Sequence, residues 1–464
     1  MEKNLTRGVR ILLGDPKKAV IKLSLPMMVG MLVQTLYNLV DGIWVAGLGK
    51  DALAAIGLFF PVYMIIVSLA SGLSVGGSSA ISRKIGAKDK KMADCAAIHS
   101  LTMTLILGLL ITIATFPFLS RIFSMLGATG QVLKYVTGYS RIIIGSTLII
   151  FFSNIAGGIL RGEGDTRRTM YVMILGSVLN IFLDPLFIYV FKMGINGAAW
   201  ATILSITISS LFLFKWIFVN KSTYVSFDFK HARYNPSIIN EILKVGLPAS
   251  FSQLSMALAV FVINIIIVKV GGTDGVAVFT SSWRIVMFGI VPLLGIAIGV
   301  TAVTGAAYGA RDVDKLKTAY FYGVKIGFVI ELLIAALVYI FAMQLAFLFT
   351  YSKGSASLSP DMILALRILV LFLPGVPLGM ITSSMFQGIG KGMYAFWVTF
   401  LRTIIFQLIF TYLFGIALAM GLRGVWIGIT LGNLTASLVA FTWGQFVIKR
   451  LIHQLDTPAV AMDV

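Results

Sequence analysis

Two acidic residues lie inside apolar stretches of the sequence that are long enough to cross a membrane. In the first stretch, Gln34, Tyr37, Asn38 and Asp41 follow the i, i+3, i+4, i+7 spacing that places side chains on one face of a helix. An ionisable group in such a stretch costs on the order of 2.5–3.5 kcal/mol to insert and usually faces a polar cavity. We therefore expect Asp41 to take part in chemistry rather than in packing.

The second acid, Asp184, lies in the fifth apolar stretch and has the same kind of neighbours. Ser177, Asn180 and Asp184 share a helix face, and the fourth and sixth stretches contribute further polar side chains. These stretches predict one shared polar chamber. We expect its coupling-ion residues to be Asp41, Asp184, Asn180, Thr202 and Asn154, and its substrate-cavity residues to be Gln34, Tyr37, Asn38, Ser177 and Met31.

Two chemistries fit this chamber. A carboxyl group buried in an apolar environment can carry a proton, and Asp41 is our first candidate for that role. Alternatively, Asp41, Asn180, Asp184 and Thr202 could supply the oxygen ligands of a Na⁺ ion. Pro185 would assist in that case, because a proline removes the amide that bonds a carbonyl one turn earlier. The sequence leaves the choice between H⁺ and Na⁺ open.

The composition predicts an all-α membrane protein with twelve transmembrane helices. Of the 464 residues 58% are hydrophobic and only 12% are charged, about half the share in a soluble domain. A bilayer-spanning helix needs roughly 20 apolar residues. Twelve such stretches occur, at 18–45, 53–80, 96–118, 131–160, 169–191, 197–219, 238–269, 276–306, 318–348, 361–387, 393–419 and 424–448.

The basic residues predict the orientation and the membrane. If both termini lie on one side, that side holds 24 Lys and Arg residues in the loops and at the span ends, and the other side holds 6. Basic loops favour the cytoplasm, so both termini should be cytoplasmic in the cell membrane of a prokaryote. Contacts with anionic lipid head groups also account for the net charge of +19 without nucleic acid as a partner.

The chain contains an internal duplication with a spacing of about 222–227 residues. Leu-Ser-Leu-Pro at 23–26 matches Val-Gly-Leu-Pro at 245–248, and Ile-Gly-Ala-Lys-Asp at 85–89 matches Tyr-Gly-Ala-Arg-Asp at 308–312. Each repeat has six spans, an even number, so the repeats are parallel. We predict an N-terminal lobe over 1–219, a cytoplasmic linker over 220–237 and a C-terminal lobe over 238–464.

Four segments resemble the multidrug and toxic compound extrusion (MATE) transporters, in particular their DinF-like prokaryotic branch. They are Gln34-Thr-Leu-Tyr-Asn-Leu-Val-Asp-Gly42, Arg161-Gly-Glu-Gly-Asp165, the run from Asn180 to Pro185, and Phe386-Gln-Gly-Ile-Gly390. The resemblance implies a V-shaped pair of six-helix lobes. It also implies export of organic, often cationic compounds by alternating access, coupled to H⁺ or Na⁺, with Pro26 as a hinge in the first helix. Residues 242–273 contain no Asp or Glu. We therefore expect the coupling site in the N-terminal lobe, as the resemblance to the DinF-like branch implies.

Several alternatives remain at this stage. A flippase of lipids or lipid-linked oligosaccharides shares the wider superfamily architecture, but it would need a more basic cavity. No motif of an intramembrane enzyme occurs, and the single Cys and three His residues show no metal-ligand spacing. Arg284 and Glu331 are predicted to form a structural ion pair. We expect no enzymatic activity, no cofactor beyond the coupling ion, and a monomer whose partners are small organic substrates and membrane lipids.

Overall fold

The computed structural model describes residues 5–228, 234–351 and 355–456, with side chains described as far as 453, and contains helices but no β-strand in those ranges. Lipid supplies no hydrogen bonds to the backbone, so each span must bond its own peptide groups as a helix. The helices of the first half are α1 Arg7–Leu13, α2 Pro16–Ala46, α3 Lys50–Gly86, α4 Lys90–Thr115, α5 Leu119–Met125, α6 Gly130–Gly145, α7 Thr147–Gly162, α8 Thr166–Pro185 and α9 Ile195–Phe214.

The second half has the same character. Its helices are α10 Pro236–Gly309, α11 Val313–Ile340, α12 Ala342–Thr350, α13 Ser359–Leu369, α14 Val376–Gly388, α15 Gly392–Phe400, α16 Gln407–Tyr412 and α17 Gly421–Asp456. Short segments of other helix types interrupt or extend several spans. They are 3₁₀ segments at Phe116–Phe118, Ala356–Leu358 and Val370–Gly375, and π segments at Leu186–Val190, Lys215–Val219, Leu401–Phe406 and Leu413–Ala417.

The predicted number of spans follows from the helix lengths. In the described ranges, ten helices are each long and apolar enough to cross a bilayer, and the pair α6 and α7, bent by 49°, provides an eleventh span. Helix α10 has 74 residues, about 110 Å at 1.5 Å per residue, which far exceeds a single crossing. It breaks at Gly272, whose φ of 59° is non-helical, into two spans. The total is then twelve, as predicted.

The backbone confirms the duplication. Left-handed φ values recur at matched positions: Gly49 with Gly272, Lys88 with Arg311, Gly164 with Gly390, Lys192 with Ala419, and Gly194 with Gly421. Two helices at matched positions also begin with the same cap. Asp89 accepts the amide of Met92 at the start of α4, and Asp312 accepts the amide of Lys315 at the start of α11. The two halves therefore share turns and caps as well as helix order.

A π segment explains why the repeat spacing changes along the chain. Gly164 and Gly390 are 226 residues apart, whereas Gly194 and Gly421 are 227 apart. Between these pairs, the second half contains the π segment Leu401–Phe406. A π-bulge accommodates one extra residue within an α-helix. The residues after it therefore match the first half at a spacing of 227.

The described chain forms two compact units whose boundaries fall inside helices. The first unit contains residues up to Leu12 and Val29–Ser250, and the second contains Leu13–Met28 and Phe251 onward. Met28 and Ser250 each lie two residues after a proline of the repeat, Pro26 and Pro248. The first part of α2 thus belongs to the second unit, and the first part of α10 to the first. The predicted lobe boundaries at 219 and 238 stay a prediction.

Paired glycines hold these two helix segments in their units. In the first unit, Gly72 and Gly76 of α3 lie against the backbone around Gly246 of α10. In the second unit, Gly295 and Gly299 of α10 lie against Met28 and Ser24 of α2. Small residues four positions apart allow helix backbones to approach closely in a membrane. The same packing device therefore occurs once in each repeat.

Each unit has its own aromatic core. In the first, Phe59 lies 5.3 Å from Tyr139 and 6.3 Å from Phe123 between ring centroids. In the second, Phe279 stacks on Trp426 at 5.8 Å with an interplanar angle of 8°. Offset or edge-to-face ring pairs of this kind add roughly 0.5–1.5 kcal/mol beyond the area they bury.

Gly295→Ala should destabilise the protein, whereas Gly57→Ala should not. An added Cβ at Gly295 would lie 2.7 Å from the backbone nitrogen of Met28, but an added Cβ at Gly57 meets no atom within 4 Å. Overpacking of this kind costs about 1–3 kcal/mol, whereas Gly to Ala inside an open helix gains about 0.5–1 kcal/mol. Thermal unfolding of both variants in detergent measures the difference. Equal midpoints would show that the α2–α10 contact is not tight.

Candidate functional site

The two acids predicted from the sequence lie together in the first unit. Asp184 is fully buried near the end of α8, and Asp41 is partly buried near the end of α2. Their carboxyl groups lie close enough to interact electrostatically. Asp184 Oδ2 has no donor among the described residues. Two carboxylates that share a buried site repel each other when both are ionised, so the pair favours a state in which one proton is bound.

An amide and a hydroxyl extend this pair across α8 and α9. Asn180 Nδ2 donates to Asp184 Oδ1 at 3.4 Å and to Thr202 Oγ1 at 3.3 Å. The Asn180 Oδ1 atom is buried and accepts no hydrogen bond from the described residues. The structure therefore brings together four of the five predicted coupling residues and leaves the Asn180 amide oxygen without a donor among the described residues. We call Asp41, Asn180, Asp184 and Thr202 the acid cluster.

The backbone after Asp184 explains how α2 and α8 are joined. Pro185 ends the α-helix and the π segment Leu186–Val190 follows. From this segment, the Tyr189 hydroxyl donates to the backbone carbonyl of Trp44 at 2.6 Å, and the two rings lie 6.2 Å apart. Trp44 is three residues after Asp41, so this contact fixes the end of α2 beside Asp184. A π segment often marks a functional site.

Three tyrosines surround the acid cluster, and two of them were not predicted. Tyr37 and Tyr139 lie close to both carboxyl groups, and Tyr63 lies close to Asp41. Tyr37 was assigned to the substrate cavity from the sequence. Tyr63 and Tyr139 lie on α3 and α6, so no spacing relative to Asp41 could have indicated them. A tyrosine hydroxyl can both donate and accept a hydrogen bond, so these residues add polar groups near the acids.

Other predicted residues lie outside the contacts of the acid cluster. Asn154 Nδ2 donates to the carbonyl of Ile150 in its own helix, at 3.0 Å. Gln34 and Asn38 have exposed side chains, Met31 is partly buried, and Ser177 is buried on α8 one turn before Asn180. Their assignment to the ion site or the substrate cavity stays a prediction.

The second repeat contains a neutral version of the acid cluster. In the repeat register, Asp41 corresponds to Asn264, Asn180 to Gln407 and Asp184 to Thr411. Gln407 and Thr411 are buried, and Asn264 is partly buried. The same backbone therefore folds with amides and a hydroxyl in place of the two carboxyls. The acids of the first repeat are not required by the architecture, which favours a functional role for them.

The predicted ion pair between Arg284 and Glu331 is wrong. Glu331 is fully buried, and neither carboxylate oxygen has a donor among the described residues, whereas Arg284 is exposed. Both residues lie inside spans of the second repeat, but position within a span does not fix the direction in which each side chain leaves its helix.

A further buried acid, Glu163, lies in the turn between α7 and α8. Its Oε2 atom accepts the backbone amides of Tyr224 at 2.7 Å and Val225 at 3.2 Å. The turn also packs tightly on Gly8 of α1. Burial raises the pKa of Glu163 to about 8, against the lowering effect of the two amides. Glu163 thus joins three separate segments through a carboxyl group that titrates near neutral pH.

A duplicated bundle of twelve spans with a buried acid cluster in one repeat is the architecture of a multi-pass membrane transporter. The MatE family model matches residues 26–186 and 248–413, once in each repeat. The chain therefore belongs to the MATE family of multidrug efflux transporters, which are transport proteins and not enzymes.

The chain is similar to named relatives over most of its length. It is 29% identical to the multidrug export protein MepA of Staphylococcus aureus over 380 residues, which are 81% of this chain and 82% of that protein. A crystal structure of a MATE protein in complex with MaL6 matches with a TM-score of 0.95 and 53% identity, over 97% of this chain and all of the other. A MOP superfamily transporter from Pyrococcus furiosus matches with a TM-score of 0.94 and 52% identity, over the same shares.

Glu163→Gln should remove a pH dependence of stability. The pKa of Glu163 is raised in the folded state, so its stabilising contribution is complete below the unfolded pKa of about 4.5 and is lost as pH rises through about 8. Unfolding of the wild type should therefore become easier between pH 5 and 9, by up to roughly 4 kcal/mol, relative to Glu163→Gln.

Thermal unfolding in detergent across this pH range provides the test. Asp361→Asn, which removes an exposed carboxyl group, serves as the control and should keep the slope of the wild type. Parallel curves for the wild type and Glu163→Gln would contradict the assignment of the titration to Glu163.

Proposed function

We propose that this chain is a cation-coupled antiporter that exports organic, often cationic, small molecules by alternating access. The observation that carries the proposal is the close approach of the Asp41 and Asp184 carboxyl groups beside the buried Asn180 and Thr202 contact, within the first unit. A buried carboxyl pair that shares a proton can release it and take up a cation in its place, since both ligands neutralise the same charge. Membership of a multidrug efflux family and the neutral second repeat support it.

Two neighbouring buried carboxyl groups favour binding of one proton, so H⁺ is our first candidate for the coupling ion. Na⁺ is the alternative, and its ligands would be the carboxylates, the Thr202 hydroxyl, the unpartnered Asn180 Oδ1 and the Ile181 carbonyl that Pro185 leaves without an amide. Both ions would occupy one site. Competition between H⁺ and Na⁺ for binding is therefore expected, with Na⁺ affinity rising as pH increases.

Alternating access would use the first helix as the moving part. Helix α2 contains Pro26. Its residues as far as Met28 belong to the second unit, and the residues after Met28 belong to the first unit. A proline removes one backbone hydrogen bond and so allows bending at that position. Asp41 lies on the first-unit side of this point. A change in charge at Asp41 could therefore alter the bend of α2, and Pro26 is our proposed hinge.

We further propose that the protein works as a monomer in a prokaryotic cell membrane, with both termini in the cytoplasm. The excess of basic residues in one set of loops supports this orientation. The acidic character of the cluster supports organic cations as cargo. We expect membrane lipids as the surroundings, no nucleic acid as a partner, and no cofactor beyond the coupling ion. A flippase of lipid-linked anions would need a basic site in its place.

Asp41→Asn should uncouple export from the ion gradient. Purified protein in liposomes is given a fluorescent cationic dye under a pH gradient or a Na⁺ gradient, each imposed alone. The wild type should move dye against its own gradient in response to one or both of them. Asp41→Asn and Asp184→Asn should lose this uphill transport by at least about tenfold, because one missing carboxyl prevents exchange of the ion.

The control for this experiment is Asp274→Asn, which removes an exposed carboxyl outside the acid cluster. It should transport like the wild type. Uphill transport that survives in both cluster variants would refute the role of the pair. A protein that moves no dye under any gradient would refute the export proposal itself.

Pro26→Ala should fix the shape of α2. Spin labels at Ile21 and Ile43, two exposed positions on either side of Pro26, report the length of the helix, about 33 Å if straight. In a Cys95→Ser background, the wild type should show a distance distribution that changes between low and high pH. Pro26→Ala should keep one distribution at both pH values. A pH-independent distribution in the wild type would remove Pro26 from the mechanism.

A further inference from the structure

The second unit contains a buried acid that the acid cluster does not explain. Glu331 lies on α11 nine residues before its end and is 0% exposed. Neither carboxylate oxygen has a hydrogen-bond donor among the described residues. Buried polar groups are nearly always paired, and an exception calls for an explanation.

The surroundings of Glu331 are apolar. Gly327, one turn earlier on the same face of α11, lies against Leu293 of α10 and Pro377 of α14. Ile334, on the same face one turn later, lies against Gly289 of α10. Glu331 is therefore enclosed between α10 and the segment that leads into α14. An ionised carboxylate is strongly disfavoured in such surroundings, so they favour the protonated form of Glu331.

The charged and titratable groups of the packed helices do not pair with Glu331. On α10 Arg284 and Asp274 are exposed, and on α13 Asp361 is exposed. Arg367 of α13 lies over the Tyr339 ring at 5.5 Å. Helix α14 has no charged residue, and Tyr320 of α11 bonds Thr382. The other charged residues of α11 are Asp314, Lys315 and Lys317 in its first turns and the exposed Lys325. The charged and titratable residues of α17 are confined to its two ends, at Arg423, Lys449, Arg450, His453 and Asp456.

The repeat shows that the fold does not need an acid at this position. The matched caps, Asp89 of α4 and Asp312 of α11, set the register between these two helices. The position nineteen residues after the cap is Gly108 in α4 and Glu331 in α11. Gly108 lies against the Phe151 ring, which fills the corresponding space in the first repeat. In the first repeat, a glycine packed against an aromatic ring is therefore enough to fill the space between the helices. In the second repeat, burial of the unpaired carboxyl group costs free energy, and packing does not require that group.

An irregular backbone segment lies beside Glu331. Helices α13 and α14 form one span, interrupted by the 3₁₀ segment Val370–Gly375, which contains Pro374. Leu373 of this segment lies against the same face of α10 as Ile334. Segments of 3₁₀ helix within a span often mark hinges, because few bonds must change when they rearrange. A rearrangement of this segment would give Glu331 access to water or to a hydrogen-bond partner.

We propose that Glu331 is a second proton-binding site, separate from the acid cluster and located in the second unit. It holds a proton in the present conformation and releases it when the Val370–Gly375 segment rearranges during transport. The release transfers H⁺ from the carboxyl group to water, which leaves a carboxylate that the rearranged segment must solvate. The transport part of this proposal rests on the proposed function, whereas the protonation of Glu331 does not.

Infrared difference spectroscopy tests the protonation state directly. Wild-type protein in lipid nanodiscs at neutral pH should show the carbonyl stretch of a protonated carboxylic acid that is missing in Glu331→Gln. Glu241→Gln is the matched control, since Glu241 is paired with Arg83 and Lys84 at 3.2 and 2.8 Å and should contribute no such band. If Glu331→Gln removes no band, Glu331 is ionised and the proposal is wrong.

The number of protons exchanged per dye molecule tests the transport role. If Glu331 carries a proton in each cycle, Glu331→Gln should still export dye through the acid cluster, with one proton fewer. Its steady-state dye gradient should then fall about tenfold for each pH unit of imposed gradient, because one pH unit corresponds to a factor of ten per proton. Glu331→Met, which keeps an apolar fit, should give the same result if Gln disturbs folding.

The outcomes separate the two proposals. A lost band together with an unchanged dye gradient would mean that Glu331 is a permanently neutral acid, which overturns its role as a carrier. A lost band in a protein that exports no dye at all would leave the protonation assignment standing while the proposed function fails. A lost band with a reduced gradient, and Glu241→Gln behaving like the wild type, is the expected result.

Discussion

The need to satisfy every backbone polar group without water determines most of this structure. It makes every described span a helix, and it makes any departure from the regular α-helix costly. The departures that do occur are therefore informative. One π segment, Leu186–Val190, follows the acid cluster directly, and the 3₁₀ segment Val370–Gly375 lies beside the unpaired Glu331. These two irregular segments lie next to buried groups that could exchange a proton, whereas the matched π segment Leu413–Ala417 of the second repeat follows the neutral Thr411.

The duplication serves as an internal control for these assignments. The two repeats share positive-φ turns, aspartate caps and glycine pairs, so a residue required by the fold should recur in both. The acids do not recur. Asp41 and Asp184 correspond to Asn264 and Thr411, and Glu331 corresponds to Gly108. The acids therefore occupy different points in the two copies of one scaffold, which indicates that folding alone does not require them.

Much of the fold and of the candidate site could be predicted from the sequence, for identifiable physical reasons. Span length and hydropathy indicate that lipid is the solvent of the chain, and helical spacing indicates which side chains share a helix face. The acid cluster around Asp41 and Asp184 could therefore be predicted from the polar faces of two spans. Contacts between distant helices carry no such signal. Tyr63 and Tyr139 were missed for that reason. The predicted pair of Arg284 with Glu331 was wrong because position within a span does not give the direction of a side chain.

The exchange of helix segments between the units was also outside the reach of sequence reasoning, although its elements were visible. Pro26 and Pro248 were recognised as repeat partners, but Gly72, Gly76, Gly295 and Gly299 are four of 46 glycines, most of which pack elsewhere. Helices α2 and α10 each contribute residues to both units, and a proline lies two residues before each change of unit. A proline leaves one carbonyl of its helix without a backbone donor, so bending at that point breaks fewer hydrogen bonds than bending elsewhere in the span. One elementary charge crossing 100 mV provides about 2.3 kcal/mol, which is more than the roughly 0.5–1.5 kcal/mol net contribution of one hydrogen bond. The two prolines are therefore the positions of α2 and α10 where the smallest energy produces a bend.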